Sequence, residues 1–133
     1  MRELRVIIAG GRDFNDYNLL EHNVNDILKI YDNKIRIISG TAKGADQLGE
    51  KFAKDNHYEL SRFPANWDLY GKSAGYRRNA EMAKFAVENG NIGILIAFWN
   101  GKSRGTKHMI DLAKRYNLKI IYILLNMNQM ENK

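Results

Sequence analysis

Three short stretches of this chain each combine glycine, a hydroxyl or amide group, and a cation. They are Gly10-Gly11-Arg12-Asp13, Ser39-Gly40-Thr41-Ala42-Lys43-Gly44-Ala45-Asp46 and Trp99-Asn100-Gly101-Lys102-Ser103-Arg104-Gly105-Thr106. Glycine lets main-chain N–H groups come close to an anion, and a helix starting just after such a loop adds the positive end of its dipole. Arg12, Lys43, Lys102 and Arg104 can add charge-assisted hydrogen bonds to phosphate oxygens. A fourth stretch, Arg77-Arg78-Asn79, opens a helix after a long glycine-bearing break. One of its arginines is expected to meet phosphate, and Asn79 a sugar or base. Successive helix residues point about 100° apart, so the two arginines do not share one site, and the choice between Arg77 and Arg78 stays open. Short strand-to-helix loops need glycine for turns anyway; it is the recurrence of the pattern that points to a phosphate-bearing ligand.

Such loops act together only if the chain brings them to one edge. Apolar runs at Leu4–Ala9, Ile35–Ile38, Ile92–Phe98 and Ile120–Leu125 are short, nearly continuous and rich in isoleucine. Runs of that kind read as parallel strands buried on both faces. Tyr58–Phe63 reads as a shorter edge strand. Helical periodicity lies between them at Asp16–Ile30, Ala45–Lys54, Gly75–Val87 and Gly105–Tyr116, with Asn15 or Asp16 as the cap of the first. The expected fold is a single α/β domain, Rossmann-like and three-layered, with about five mainly parallel strands and helices on both faces. It is expected to span residues 1–125, followed by a flexible polar tail at 126–133. With the first and fourth strands adjacent, the three loops surround one crevice beyond the strand ends, and Arg77–Asn79 lies above it.

Composition narrows the classes further. The 133 residues include no cysteine, which removes disulfides, thiolate metal sites and cysteine nucleophiles. His22, His57 and His108 have no metal-ligand spacing, and neither a metal nor a cofactor is expected. Lys and Arg total 21 against 15 Asp and Glu, a net charge of +6 that suits anionic partners. No apolar stretch approaches the roughly 20 residues needed to span a bilayer. The start of the chain lacks a signal-peptide pattern, so a cytoplasmic protein is expected. The break from Phe63 to Ala74 is long for a compact domain, and breaks of that length are often functional. Trp67, Tyr70, Tyr76 and Trp99 flank the loops as candidates to stack on a base or to plug the sheet edge. Trp99 is the better candidate for a pocket wall or a contact between copies.

Standard nucleotide motifs are absent. Gly71-Lys72-Ser73 and Gly101-Lys102-Ser103 mimic the end of a P-loop, but Asn66 and Ile96 stand where its first glycine would be. Gly10-Gly11 does not complete a dinucleotide fingerprint, and Ser39 closes the second strand where an acid would grip a ribose.

The stretches already quoted, together with Phe63-Pro64-Ala65-Asn66-Trp67 and Tyr70-Gly71-Lys72-Ser73-Ala74-Gly75-Tyr76-Arg77-Arg78-Asn79, resemble the signature of the YspA-like branch of the SLOG superfamily. The resemblance runs from about Val6 to Leu125. It implies a Rossmann-like domain for nucleotides or nucleotide-derived ligands, some members acting as sensors in antiviral conflict systems. A signalling nucleotide is among the expected ligands, and the Asn-, Ile- and Lys-rich composition suits an AT-rich genome, bacterial or phage. Relatives include the lysine-decarboxylase-like phosphoribohydrolases and the DNA-processing protein DprA. The hydrolases carry a glutamate in a Gly-Gly-x-Gly-Thr-x-x-Glu motif, and Met109 stands at that position here. A thioether can neither move a proton nor stabilise a cationic sugar, so a hydrolase would need another carboxylate, such as Asp13, Asp46 or Glu81. Binding of a nucleotide-derived phosphorylated small molecule leads. A phosphoribohydrolase-like enzyme and a single-stranded nucleic-acid binder are the alternatives. Self-association is also expected, through Tyr116 and the outer sides of the last two helices.

Overall fold

The computed structural model describes residues 2–125; the polar tail expected at 126–133 lies outside them. The elements run β1 (Leu4–Gly10), α1 (Tyr17–Leu28), β2 (Ile35–Ser39), α2 (Ala45–Asp55), β3 (Glu59–Arg62), α3 (Trp67–Tyr70), α4 (Ala74–Val87), β4 (Ile92–Trp99), α5 (Arg104–Arg115) and β5 (Lys119–Leu124). All strand pairs are parallel, in the order β3-β2-β1-β4-β5. This is the Rossmann-like α/β fold expected from the apolar runs.

Alternation along the central strands assigns each helix to a face. Leu4, Val6 and Ile8 of β1, with Ile94, Ile96 and Phe98 of β4, pack against Leu20, Val24 and Leu28 of α1 and Phe52 and Ala53 of α2. Ile7 and Ala9, with Leu95 and Ala97, face Met82, Ala83 and Ala86 of α4 and Met109, Ile110 and Ala113 of α5. The chain changes faces after β3. The next strand, β4, therefore lies on the far side of β1, and the strand order reverses between β1 and β4. A crevice outside the carboxyl ends of the strands opens at such a reversal.

Side-chain caps fix where helices begin. Asp16 Oδ1 accepts from Leu19 N at 3.0 Å, and Asn66 Oδ1 accepts from Leu69 N at 3.0 Å. The second of these starts a single helical turn, α3, inside the break expected to be a loop. A tight 3₁₀ turn at Gly71–Ser73 then leads into α4. The first helix ends at Leu28, two residues short of its apolar pattern, and leaves Ile30 70% exposed.

Candidate functional site

Three cavities adjoin along the carboxyl edge of the sheet, and Arg12 borders all of them. The central one, about 250 Å³, is lined by Gly10, Arg12, Asp46, Arg78, Asn79, Ser103, Gly105 and Thr106, with Ala9, Ala42, Met82 and Met109. Toward β2 and β3 a second, about 470 Å³, takes in Gly40, Thr41, Lys43, Pro64, Ala65 and Trp67. On the α1 side a third, about 300 Å³, is lined by Gly11, Asp13, Phe14, Asn100, Ser103 and Leu125. The three glycine-bearing loops thus meet at one crevice.

Two glycines make that convergence possible. A Cβ on Gly10 would collide with the carbonyl of Phe98 and come within 2.8 Å of the Ala45 Cβ. Gly44 has φ of +80°, and a Cβ there would run into the Gly11 and Arg12 carbonyls. The first two loops are therefore in main-chain contact, sealed by Ala45 N–H donating to Gly11 O at 3.2 Å.

Two main-chain donors of the β2 loop are satisfied internally. Thr41 N–H donates to Ser39 Oγ at 3.0 Å, and Ala42 N–H donates to Asp46 Oδ2 at 3.1 Å. Ser39 Oγ–H donates in turn to Glu50 Oε2 at 2.6 Å, so Ser39 is a buried brace under the loop. The β4 loop is folded by Asn100, whose Oδ1 accepts from both Lys102 N and Ser103 N at 2.8 Å. Ser103 caps α5 by accepting from Thr106 N, and its Oγ lies 3.1 Å from Thr106 Oγ1. The first-turn amides of Arg104 and Gly105 have no acceptor within their own helix, and Gly105 borders the central cavity. The start of α5 accordingly offers open main-chain donors to the crevice.

The charged groups reinforce this polarity. Arg78 reaches across from α4, its Nη1 donating to Gly40 O and its Nε to Asn79 Oδ1 at 3.0 Å. Burial pulls its guanidinium below the ordinary arginine value; Asp46 opposes that shift and Arg12 adds to it by repulsion. Asp46 is only 8% exposed, and its pKa is pushed up to about 6, chiefly by burial and in part by Glu50. Ala42 N–H, Arg78 and Arg12 oppose the rise.

Arg77 diverges from Arg78 by the helical angle. Its Nε donates to Ser73 Oγ at 3.1 Å and its guanidinium lies over the Tyr70 ring, outside the three cavities. Trp99 also turns away. Its Nε1–H donates to Ser103 O at 3.2 Å and its ring stands edge-on to Tyr122, bracing the β4 loop from behind. Gly101, Lys102 and Arg104 sit exposed on the rim, as Gly44 sits beneath it, and none of the four lines any of these three cavities. Met109, at the position of the hydrolases' glutamate, is buried and forms apolar floor.

Sequence reasoning missed Phe14, Ala42, Pro64, Ala65, Met82 and Leu125 as wall, and Glu50 as the partner of Ser39. Glu50 lies four residues after Asp46 on the same helix face, a spacing that could have flagged it. Among the described residues no cluster of His, Asp and Glu is arranged to hold a metal ion, and no helix is long and apolar enough to cross a membrane.

The family model described as the YspA, cpYpsA-related SLOG family matches residues 4–70. Gene 61 protein of Mycobacterium phage D29 is 29% identical over 124 residues, covering 88% of this chain and 94% of that protein. Among solved structures, the crystal structure of a predicted subunit of tRNA methyltransferase from Methanocaldococcus jannaschii aligns with 99% of this chain and 75% of its own. Its identity to this chain is 14% and its TM-score 0.46.

Proposed function

The chain belongs to the YspA, cpYpsA-related SLOG family, and from that premise we propose that its crevice binds the phosphate of a nucleotide-derived small molecule. The observation that carries this reading is the meeting of two arginines on one cavity. Arg12 and Arg78 repel each other there, and Arg78 is already stripped of much of its water. A phosphate placed between them and the first turn of α5 relieves that repulsion, replaces lost hydration, and meets open N–H groups. Thr41, Lys43, Asn79 and Asn100 surround the remaining space and offer polar contacts to sugar and base.

A binding role, whether sensing or sequestering, fits this arrangement better than the hydrolysis known from the phosphoribohydrolase relatives, because Met109 supplies no carboxylate. A hydrolytic reading has one observation in its favour: Asp46, on the wall of the central cavity, titrates near 6, a range suited to proton transfer near neutral pH.

The test is a thermal-shift comparison of nucleoside monophosphates with the matching nucleosides. A monophosphate at about 100 times its Kd should stabilise the fold by about 2.7 kcal/mol, while the nucleoside adds far less. Arg78→Gln should abolish the difference and Arg77→Gln should preserve it. Equal responses to phosphorylated and unphosphorylated ligands would refute the phosphate site. Release of free base in the same samples would favour the hydrolase. Binding that requires an oligonucleotide and weakens steeply with salt would favour the single-strand reading.

A further inference from the structure

Behind Arg78 lies a short chain of side chains that the loops do not account for. Asn79 is 7% exposed, and its Oδ1 accepts from Arg78 Nε at 3.0 Å. That contact fixes the carboxamide, because only the oxygen can accept from the guanidinium. The amide nitrogen then points the other way, to Nδ1 of His108 on α5, at 3.2 Å. An amide NH₂ is a donor only, so Nδ1 must be the acceptor and the imidazole must be neutral, with its proton on Nε2. The Tyr76 ring covers the imidazole, with 4.3 Å between centroids.

We propose that His108 is a positioning residue of the crevice: by accepting from Asn79 it fixes the carboxamide that aims Arg78 at the cavity. Its bearing on ligand binding rests on the crevice being an anion site, but the relay itself does not. When the imidazole gains a proton, Nδ1–H faces NH₂, and the two donors cannot pair. Turning the carboxamide restores that pair but sets NH₂ against Arg78 Nε–H. Either arrangement loses one of the two hydrogen bonds: unturned, the carboxamide keeps Arg78 but loses its own anchor, and turned, it leaves Arg78 to Gly40 O, so the angle of Arg78 is less restrained in both.

The surroundings favour the neutral form. Burial lowers the pKa of His108 from its ordinary 6.5, Arg115 adds to the fall, and Asp111 opposes it. From α4 the facing groups are Tyr76 and Asn79, with Arg78 beyond; the strands under this layer present Ala9, Leu95 and Ala97, which do not titrate.

Side-chain ¹H–¹⁵N NMR of the full chain tests the relay without any ligand. The Asp46→Asn background is used, since Asp46 acts on Arg78 and titrates in the same range. At pH 8 His108 should carry its proton on Nε2. On acidification its titration, with a midpoint below 6.5, should carry the Asn79 NH₂ and Arg78 Nε–H resonances with it. His108→Asn keeps an acceptor near the Nδ1 position and does not titrate. In that variant the Arg78 resonance should keep its pH 8 position throughout, whereas in His108→Leu it should be displaced at every pH. A proton on Nδ1 at pH 8, or an Arg78 resonance that ignores the imidazole titration, would overturn the relay. Sulfate, doubly charged across this range, reports on consequence. His108→Leu should bind it about tenfold more weakly at pH 8, and His108→Asn should not. Absence of sulfate binding to the parent protein would count against the anion site alone, because the resonances decide the relay independently.

Discussion

Asp46 makes the folded protein carry an expense that a substitution should remove. Its carboxyl rises from 3.8 to about 6 because burial disfavours the anion more than Ala42 N–H, Arg78 and Arg12 favour it. The folded state therefore binds an additional proton between those two values, and stability falls as pH rises through that window. At about 1.4 kcal/mol per pKa unit, the ionised group destabilises the fold by about 3 kcal/mol above pH 6. Asp46→Asn keeps an oxygen for Ala42 N–H but carries no charge. Urea unfolding of both proteins from pH 4 to pH 7.5 should show near-equal stability at the acid end. Toward pH 7.5 the variant should gain, by up to about 3 kcal/mol. Glu3, Asp55 and Asp111, whose lowered pKa values stabilise in the opposite sense, are present in both proteins and cancel in the difference. A difference that does not change with pH, or a variant less stable at pH 7.5, would refute this account of Asp46. A buried carboxylate beside two arginines also repels phosphate, so the same variant should bind nucleoside monophosphates more tightly.

Other substitutions probe the frame of the crevice. Gly44→Ala forces a Cβ into the Gly11 and Arg12 carbonyls at a positive φ; urea unfolding should show a loss of about 1–3 kcal/mol or more, with the thermal response to monophosphate falling alongside. Ser103→Ala removes the cap of α5 and should lower stability by about 1 kcal/mol in the same assay. Met109→Ala should destabilise by about 2–5 kcal/mol, and if this buried side chain is floor rather than machinery, monophosphate binding should survive in the folded fraction.

The fold was largely legible because its signals are local. Unbroken apolar runs marked the parallel strands, but not their burial: β5, expected to be covered on both faces, is an edge strand whose Tyr122 and Leu124 are exposed. The adjacency of β1 and β4 belonged to the expected Rossmann-like arrangement. The cap of α1 was readable to within one residue, Asn15 or Asp16, and the structure selects Asp16. The one-turn α3 was not, because Trp67, Leu69 and Tyr70 are all exposed and give no amphipathic pattern. The loops' convergence was anticipated, but not their division of labour. The β2 loop looked like a main-chain cradle, yet Ser39 and the Asp46 carboxylate occupy its Thr41 and Ala42 amides. Which amides stay open depends on side chains folding back, and spacing does not record that. The choice between Arg77 and Arg78 likewise needed the rotation of α4 against the sheet. For His108 the sequence showed only a lack of metal-ligand spacing, because Asn79, its partner, lies 29 positions away on another helix.

Amide and side-chain NMR during titration with a nucleoside monophosphate tests the central claim most directly. Perturbations concentrated at the Gly11, Arg12, Arg104 and Gly105 amides and at Arg78 Nε–H are the predicted result. A saturable titration that leaves those signals in place and moves residues at the opposite edge of the sheet would contradict it.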